Sequence, residues 1–356
     1  MVKILAINPH FSSTEVALFD NETRVWEEIL RHDLSGLDKF TSIIAQEDFR
    51  FSQIKQLLKD KGSDIRSIGA FVAAGGLLHP IDGGTYSVNV KMLQDLISCK
   101  YGEIVTNLGA PLAARLANAA GCKYVYVVDP LIVDEMSEIA HMTGLPEIRS
   151  KSIFHALNQK AVAHREAAKL GKPVSECNFV VCDMSETISI GAHKCGRVIE
   201  VNDVYGGLGP MSLERCGTLP SIALIDLCFS GKYSKEELKT RVLGVGGFVA
   251  YLGTNDWNEI VKRVKSGDRK ARMVVEAFMH QLTKSIGAST AVLRGQVDAI
   301  ILTGLMARDE SLCGQIRSEV EWAAPVAVYP GEDETLALAE GVMRVMRGVE
   351  ETKTYA

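Results

Sequence analysis

Residues 178–203, NFVVCDMSETISIGAHKCGRVIEVND, read as a strand, a short polar loop, a strand, a tight turn and a third strand. The apolar run 179–182 ends on Asp183, the polar residues Ser185, Glu186 and Thr187 follow, and a new β-type run begins at Ile188. Lys194, Cys195 and Gly196 make the turn before the third strand, 198–201. The N-terminus repeats the plan. Residues 2–7 form a strand ending on Asn8, 10–14 a polar loop, 16–19 a second strand, Asp20 and Asn21 a turn, and 24–29 a third strand. Asn8 to Asn21 and Asp183 to Gly196 span the same 13 residues. A chain that opens twice in one way, half its length apart, is constrained to a duplicated α/β domain. Two polar loops at strand ends would then face each other across a cleft, and open α/β sheets take their ligands at strand ends.

The 356 residues suffice for two domains with separate cores. A net charge of −5 without a basic cluster argues against nucleic acid or an acidic membrane surface as partner. No signal peptide is expected, since a strand begins at once, and no apolar run approaches a membrane span. The eight cysteines, Cys99, Cys122, Cys177, Cys182, Cys195, Cys216, Cys228 and Cys313, form no CxxC pair, and no HExxH occurs. They read as small buried thiols in a reducing cytosol, so a cytoplasmic protein is expected.

Between the repeats, strands and helices alternate, the sign of a mostly parallel sheet. Helices are expected at 53–61, 90–98 and 111–120, and strands at 68–74 and 123–128, the latter delivering Asp129 before Pro130. Residues 77–85, LLHPIDGGT, read as a loop. One long helix is expected over 151–169. Helices are also expected over 221–229, 235–243 with a Ser234–Glu237 capping box, 269–294 and 335–347, with strands at 297–302 and 326–329. The expected domains are 1–148 plus about 335–356, and 149–334. The glycine-rich stretch 244–253 lacks the third glycine of GxGxxG, and no GxxxxGK[ST] occurs, which disfavours a Rossmann site and a P-loop.

Nine stretches carry a resemblance. They are INPxxSST at 7–14, GGLLHPIxGGTY at 75–86, VVDPxxVDEM at 127–136, RSKSIFHALNQKAVA at 149–163 and GAHxxGRVI at 191–199. They continue with GPxSxERxGxLP at 209–220, GGxVAYLGTND at 246–256, AIILTG at 299–304 and YPGEDExLALAEG at 329–341. In order and along nearly the whole chain, they resemble butyrate kinases, which stand with acetate kinases in a superfamily that also holds sugar kinases and actin-like ATPases. The resemblance implies an α/β fold of duplicated ribonuclease H-like (actin-like ATPase) domains with a cleft between them. It implies transfer of a phosphoryl group between ATP and a short-chain carboxylate, giving an acyl phosphate and ADP, with Mg2+. It also implies a homo-oligomer built from dimers through the second domain; the apolar stretch 242–252 would serve that interface or lie buried in the monomer.

The same resemblance distributes roles. Arg215 would stabilise the equatorial oxygens of the transferring group, a requirement of phosphoryl transfer. Its bland alternative is a surface ion pair. Asp129 would hold magnesium, with Glu332 or Glu334 as the second carboxylate; alone, a strand-terminal Asp before Pro is a common turn residue, and either Glu would suit a helix N-terminus. His155, placed one turn into the expected helix, resembles an active-site histidine. Asn8, Ser12, Ser13 and Thr14 would contact phosphate from the first loop, and Asp183, Ser185 and Thr187 from the second. Thr303 and Gly304 would lie at the nucleotide, and Gly75 and Gly76 at the carboxylate.

The chain departs from the family at its phosphate loops. Where the family reads close to NPGSTSTK, this chain has Asn8-Pro9-His10-Phe11-Ser12-Ser13-Thr14-Glu15; where it reads close to AHLGGG, this chain has Cys182-Asp183-Met184-Ser185-Glu186-Thr187. Ala74 stands for an expected arginine, Leu305 breaks a glycine pair, and Gly206 and Leu208 replace an acidic pair. Glycines let backbone N–H groups approach phosphate without a Cβ in the way. A like-charge pair about 4 Å apart costs roughly 4 kcal/mol at an effective dielectric near 20, so Glu186 near a polyanion is unfavourable. Two readings stand: a butyrate kinase-like enzyme whose altered phosphate loops are expected to impair its activity, and a non-catalytic relative that binds or regulates a partner.

Overall fold

The computed structural model describes residues 1–356, the side chain of Leu34 excepted. In chain order the strands are β1 (Lys3–His10), β2 (Ser13–Asp20), β3 (Thr23–Arg31), β4 (Ala70–Ala74), β5 (Thr85–Ser87), β6 (Val125–Val128), β7 (Asn178–Met184), β8 (Ile188–Lys194), β9 (Arg197–Val201), β10 (Ala299–Gly304), β11 (Val326–Pro330) and β12 (Lys353–Thr354). The chain divides into two compact units: 1–134 with 156–161 and 333–356, and 135–155 with 162–332.

The first unit holds a seven-stranded sheet in the order β12-β5-β6-β4-β1-β2-β3. β1, β4 and β6 run parallel, while β2 and β3 return antiparallel. The parallel strands are apolar on both faces because both are covered. Helices Glu47–Asp60 and Gly109–Ala120 place Ile54, Leu57, Leu112 and Leu116 against Leu5, Ile7 and Phe71 on one face. On the other, helix Glu334–Met346 sets Ala337, Leu338 and Val342 against Ile4, Ala6 and Val72. Gly341 lets this helix come close; a Cβ there would lie 2.6 Å from a Val128 methyl.

The second unit holds a five-stranded sheet in the order β11-β10-β7-β8-β9. β7, β10 and β11 are parallel, and β8 and β9 return antiparallel. This repeats the sequence β6-β4-β1-β2-β3 strand for strand, the duplication expected from the two 13-residue openings. Its core joins Val180, Cys182 and Ile300 to Phe248, Phe278 and Leu282, the last two on helix Arg269–Val292.

Several elements differ from expectation. The polar stretch 10–14 is not a loop: β1 and β2 pair up to His10 and Ser13, leaving only Phe11 and Ser12 in the turn. The helix expected over 151–169 begins at Ala156, with His155 at its cap in a non-helical conformation. Within 77–85 the last residue, Thr85, already belongs to β5. Helix Gly247–Leu252 occupies the glycine-rich stretch, and helix Trp257–Lys265 was not anticipated. Among the described residues no helix is long and apolar enough to cross a membrane.

Candidate functional site

Parallel strands deliver their C-terminal ends to one edge of a sheet, and in each unit several of the residues singled out from the sequence lie at such ends. In the first unit, β1 ends near Asn8, β4 runs into Gly75 and Gly76, and β6 delivers Asp129. Asn8 is buried; its Nδ2 donates to Glu334, the first residue of helix Glu334–Met346, and lies 3.1 Å from His10 Nε2. Asp129 is buried at a φ of 38°. Its Oδ1 accepts the Gly84 N–H at 2.6 Å. Left-handed backbone costs a non-glycine residue about 1–2 kcal/mol, least for Asp and Asn, and the Gly84 bond offsets part of that cost.

Gly75 and Gly76 are required by the protein itself. A Cβ on Gly75 would lie 2.4 Å from Pro130 Cβ, and one on Gly76 2.3 Å from Asn107 Oδ1, which accepts the Leu77 N–H. In the first turn Ser12 is exposed and Ser13 half-buried, but Thr14 faces the interior. Its Oγ1 lies 2.9 Å from Arg50 Nη1 and 2.9 Å from His32 Nε2. Arg50, which the sequence reading passed over, is fully buried and holds the turn by donating to the carbonyls of His10, Phe11 and Ser13 and to Gln46 Oε1. Burial lowers its pKa to about 10. Burial, aided by the Arg50 charge, lowers that of His32 to about 4.

In the second unit, β7, β10 and β11 deliver Asp183, Thr303-Gly304 and the stretch to Glu332. Asp183 is fully buried. Its Oδ1 lies 2.8 Å from Ser185 Oγ, which also bonds Glu332 Oε1 and lies 3.3 Å from the donating Leu305 N–H. His155 stands over the same loop, with Nδ1 3.8 Å from Asp183 Oδ1 and 2.8 Å from Ser189 Oγ, and Nε2 3.1 Å from Thr187 Oγ1. Thr303 Oγ1 donates to the Gly331 carbonyl. Gly304 sits at a φ of 90°, and a Cβ there would lie 2.6 Å from the Met184 backbone and 2.7 Å from Asp183 Oδ1. Only glycine fits there.

Glu186 is exposed; its carbonyl accepts the Ser212 hydroxyl at 2.8 Å. Ser212 Oγ also accepts the Arg215 N–H at 3.3 Å. The Arg215 loop packs on Gly246 and Gly247, where any Cβ would strike Ser212, Arg215 or Cys216 backbone atoms. Arg215 itself is half-buried, donates from Nη1 to the Val204 carbonyl at 3.4 Å and lies over the Tyr205 ring at 5.3 Å. Among the described residues it has no acidic partner, so the surface ion-pair alternative is not the arrangement found. Ser212 and Ser189 had not been singled out; Ser212 lies within GPxSxER, which could have signalled it.

Just past Gly304, a cavity of about 950 Å³ opens, lined in part by Leu213, Trp257, Arg272, Glu276, Leu305 and Arg308. Trp257 Nε1 donates to Asp309 Oδ2, which fixes that wall. The volume suits a nucleoside-sized ligand.

The sequence pattern of the Acetokinase family matches residues 45–318. The chain is 48% identical over 354 residues to a probable butyrate kinase of Coprothermobacter proteolyticus, covering 99% of each. It is 47% identical over 353 residues to butyrate kinase 2 of Clostridium acetobutylicum, again covering 99% of each. Among solved structures, an acetate kinase of Porphyromonas gingivalis superposes with a TM-score of 0.81 at 17% identity, covering 97% of this chain and 100% of that one. At that identity the likeness speaks for the fold.

Proposed function

We propose that this chain, which belongs to the acetokinase family, is an ATP-dependent carboxylate kinase whose acceptor is butyrate, with butyryl phosphate and ADP as the other pair. The observation that carries the acceptor is the near-half identity, over 99% of each chain, to a probable butyrate kinase and to butyrate kinase 2.

The chemistry asks for alignment and for positive charge at the transferring group. Arg215 supplies the charge: a guanidinium without a carboxylate partner is available to phosphoryl oxygens, and the Ser212 bond aims its loop. The 950 Å³ cavity beyond Thr303 and Gly304 is where we place the nucleoside of ATP. Asn8, Ser12 and Ser13 are the first unit's candidates for phosphate contact, and Ser185 and Thr187 are the second unit's. Thr14 supports its turn from beneath through Arg50. Gly75 and Gly76 would leave the carboxylate room beside the end of β4.

Asp129 and Glu334, with Asn8 bonded to Glu334, offer hard oxygen donors that suit Mg2+. When bound, the ion would neutralise charge on the nucleotide's phosphates. The departures in the second phosphate loop do not oppose the kinase reading. Glu186, the residue that would repel a polyanion, is exposed with its carbonyl tied back to Ser212, and Asp183 is turned inward beside His155. These placements favour an active kinase over a non-catalytic relative.

We further propose a homo-oligomer. Helix Ser221–Phe229, SIALIDLCF, buries none of its residues, and Ile222, Ile225 and Phe229 stand exposed on it. A second copy of the same helix is the simplest cover for such a patch. The stretch 242–252 is divided: Phe248 is in the core, while Val245 and Tyr251 are exposed. Eight unpaired cysteines fit a reducing cytosol.

The test is turnover of butyrate with ATP and Mg2+, read as ADP release and as hydroxamate formed from butyryl phosphate. A turnover of about 1–100 per second is expected. ATP binding without turnover of any short-chain carboxylate would establish the non-catalytic relative instead.

A further inference from the structure

We infer that Lys353 is a positioning residue: it locks the turn at Gly83 and Gly84, and through that turn it holds Asp129. The role rests on the kinase reading, in which Asp129 is a magnesium ligand. All the residues concerned lie within the first unit.

Asp129 makes two bonds to one residue of that turn. Its Oδ1 accepts the Gly84 N–H at 2.6 Å, and its own N–H donates to the Gly84 carbonyl at 3.1 Å. Both partners have uncommon backbone, Asp129 with a φ of 38° and Gly84 with one of 134°. Such conformations persist where the surroundings over-determine them. Here two side chains hold successive carbonyls of the turn. Tyr86, buried in β5, donates its hydroxyl to the Asp82 carbonyl at 2.8 Å. Lys353 donates from Nζ to the Gly83 carbonyl. The Lys353 stem also lies over Gly84, where an added Cβ would be 3.1 Å from its Cε and 3.2 Å from its Cδ. A surface lysine usually keeps its ammonium in water. This one is half-buried, and its ammonium is directed at the carbonyl one residue before the partner of Asp129.

The segment that delivers Lys353 is itself anchored. β12 pairs with β5 in parallel, with Lys353 opposite Tyr86. Two residues on, Tyr355 is buried and donates its hydroxyl to Asp95 Oδ2 at 2.9 Å. Its ring stacks on His79 with centroids 4.5 Å apart, and its carbonyl accepts from Asn89 Nδ2 at 2.7 Å. Asn89 in turn caps helix Val90–Ile97. Tyr355 thus fixes the segment, and Lys353 carries that fixity to the turn.

The experiment compares, in the full chain, Lys353→Met, which keeps a stem and removes the donor, with Lys353→Arg, which keeps a donor. Hydrogen exchange is followed by mass spectrometry without nucleotide, carboxylate or metal. Lys353→Met should speed exchange in the peptide containing Gly84 about tenfold, the scale of one hydrogen bond to a charged group. Peptides of helix Val90–Ile97 should not change, because Tyr355 still anchors them. In turnover of butyrate with ATP, the Mg2+ concentration for half-maximal rate should rise about tenfold with the KM for butyrate unchanged. Lys353→Arg should bring both readouts to within about threefold of wild type, since one carbonyl asks for a donor and not for a bidentate fork. Ile54→Val, in the core on the side of helix Glu47–Asp60, should lower the melting temperature and move neither readout. Unchanged exchange at Gly84 in Lys353→Met would overturn the proposed lock, whatever the enzyme does. Faster exchange with an unchanged Mg2+ requirement would overturn the positioning role and leave the kinase reading standing. A wild type without turnover would fail the kinase reading before any variant is made, and the role of Lys353 toward magnesium would fall with it.

Discussion

Ser212 Oγ donates to the carbonyl of Glu186 at 2.8 Å, and that bond joins the turn after β7 to the loop that carries Arg215. The same oxygen accepts the Arg215 N–H. Ser212→Ala would free both loops at once. The expected result is a fall in kcat of about tenfold with little change in the KM for butyrate, and a loss of about 1 kcal/mol in stability. Steady-state kinetics and a denaturant melt report the two separately.

In the role proposed for it, Arg215 would act where charge is greatest in the transition state, so its loss should appear in kcat. Arg215→Ala is expected to lower kcat by about a thousandfold or more, within the range for arginines that serve phosphoryl transfer. Arg215→Lys should recover only a small part, because an ammonium lacks the planar fork. Equal loss in both variants with raised KM alone would assign Arg215 to ground-state binding.

His32 makes the first unit sensitive to acid. Its pKa of about 4 in the folded protein lies below the ordinary 6.5, because burial and the Arg50 charge oppose the added proton. The unfolded chain takes up that proton more readily, so stability is full above pH 6.5 and falls as pH drops toward 4. The loss through that window is roughly 3 kcal/mol at most. His32→Phe should flatten this part of the stability profile, as followed by thermal melts at a series of pH values.

The exposed helix Ser221–Phe229 should decide the assembly state. Ile222→Glu together with Phe229→Glu places charge on an otherwise apolar face. Sedimentation at micromolar concentration is expected to move from dimer or larger to monomer, with the secondary structure unchanged. A wild type that sediments as a monomer would end the idea.

The duplicated topology was legible because it rests on local signals: apolar runs ending on Asn8 and Asp183, and turn residues at matching offsets. Helices Ser221–Phe229 and Lys235–Leu243 match their expected bounds, the second with its capping box in place. What stayed hidden depends on distant partners. Arg50 looks like a surface helix charge until β1 and β2 bring carbonyls to it. Residues 10–14 look like a loop because they are mostly polar, but His10, Ser13 and Thr14 pair in the β1–β2 ladder and only Phe11 and Ser12 are left in the turn. His155 was expected inside a helix, yet its backbone leaves the helix to reach Thr187 and Ser189. The departures at Asp183, Ser185 and Thr187 were visible as substitutions, whereas their use as partners for His155 and Glu332 was not.

The first unit includes residues 333–356, which follow the whole of the second unit in sequence. Helix Glu334–Met346 covers one face of its sheet, β12 pairs with β5, and buried Tyr355 donates to Asp95. A polypeptide emerging from the ribosome can therefore assemble the second unit, all of whose residues precede 333, before the first has its final helix and edge strand. The unit whose synthesis starts first would then be the second to have all its residues available, against the usual N-terminal-first course. Until helix Glu334–Met346 is made, the apolar face formed by Ile4, Ala6 and Val72 lacks its cover, and that interval is when a chaperone would have the most to hold.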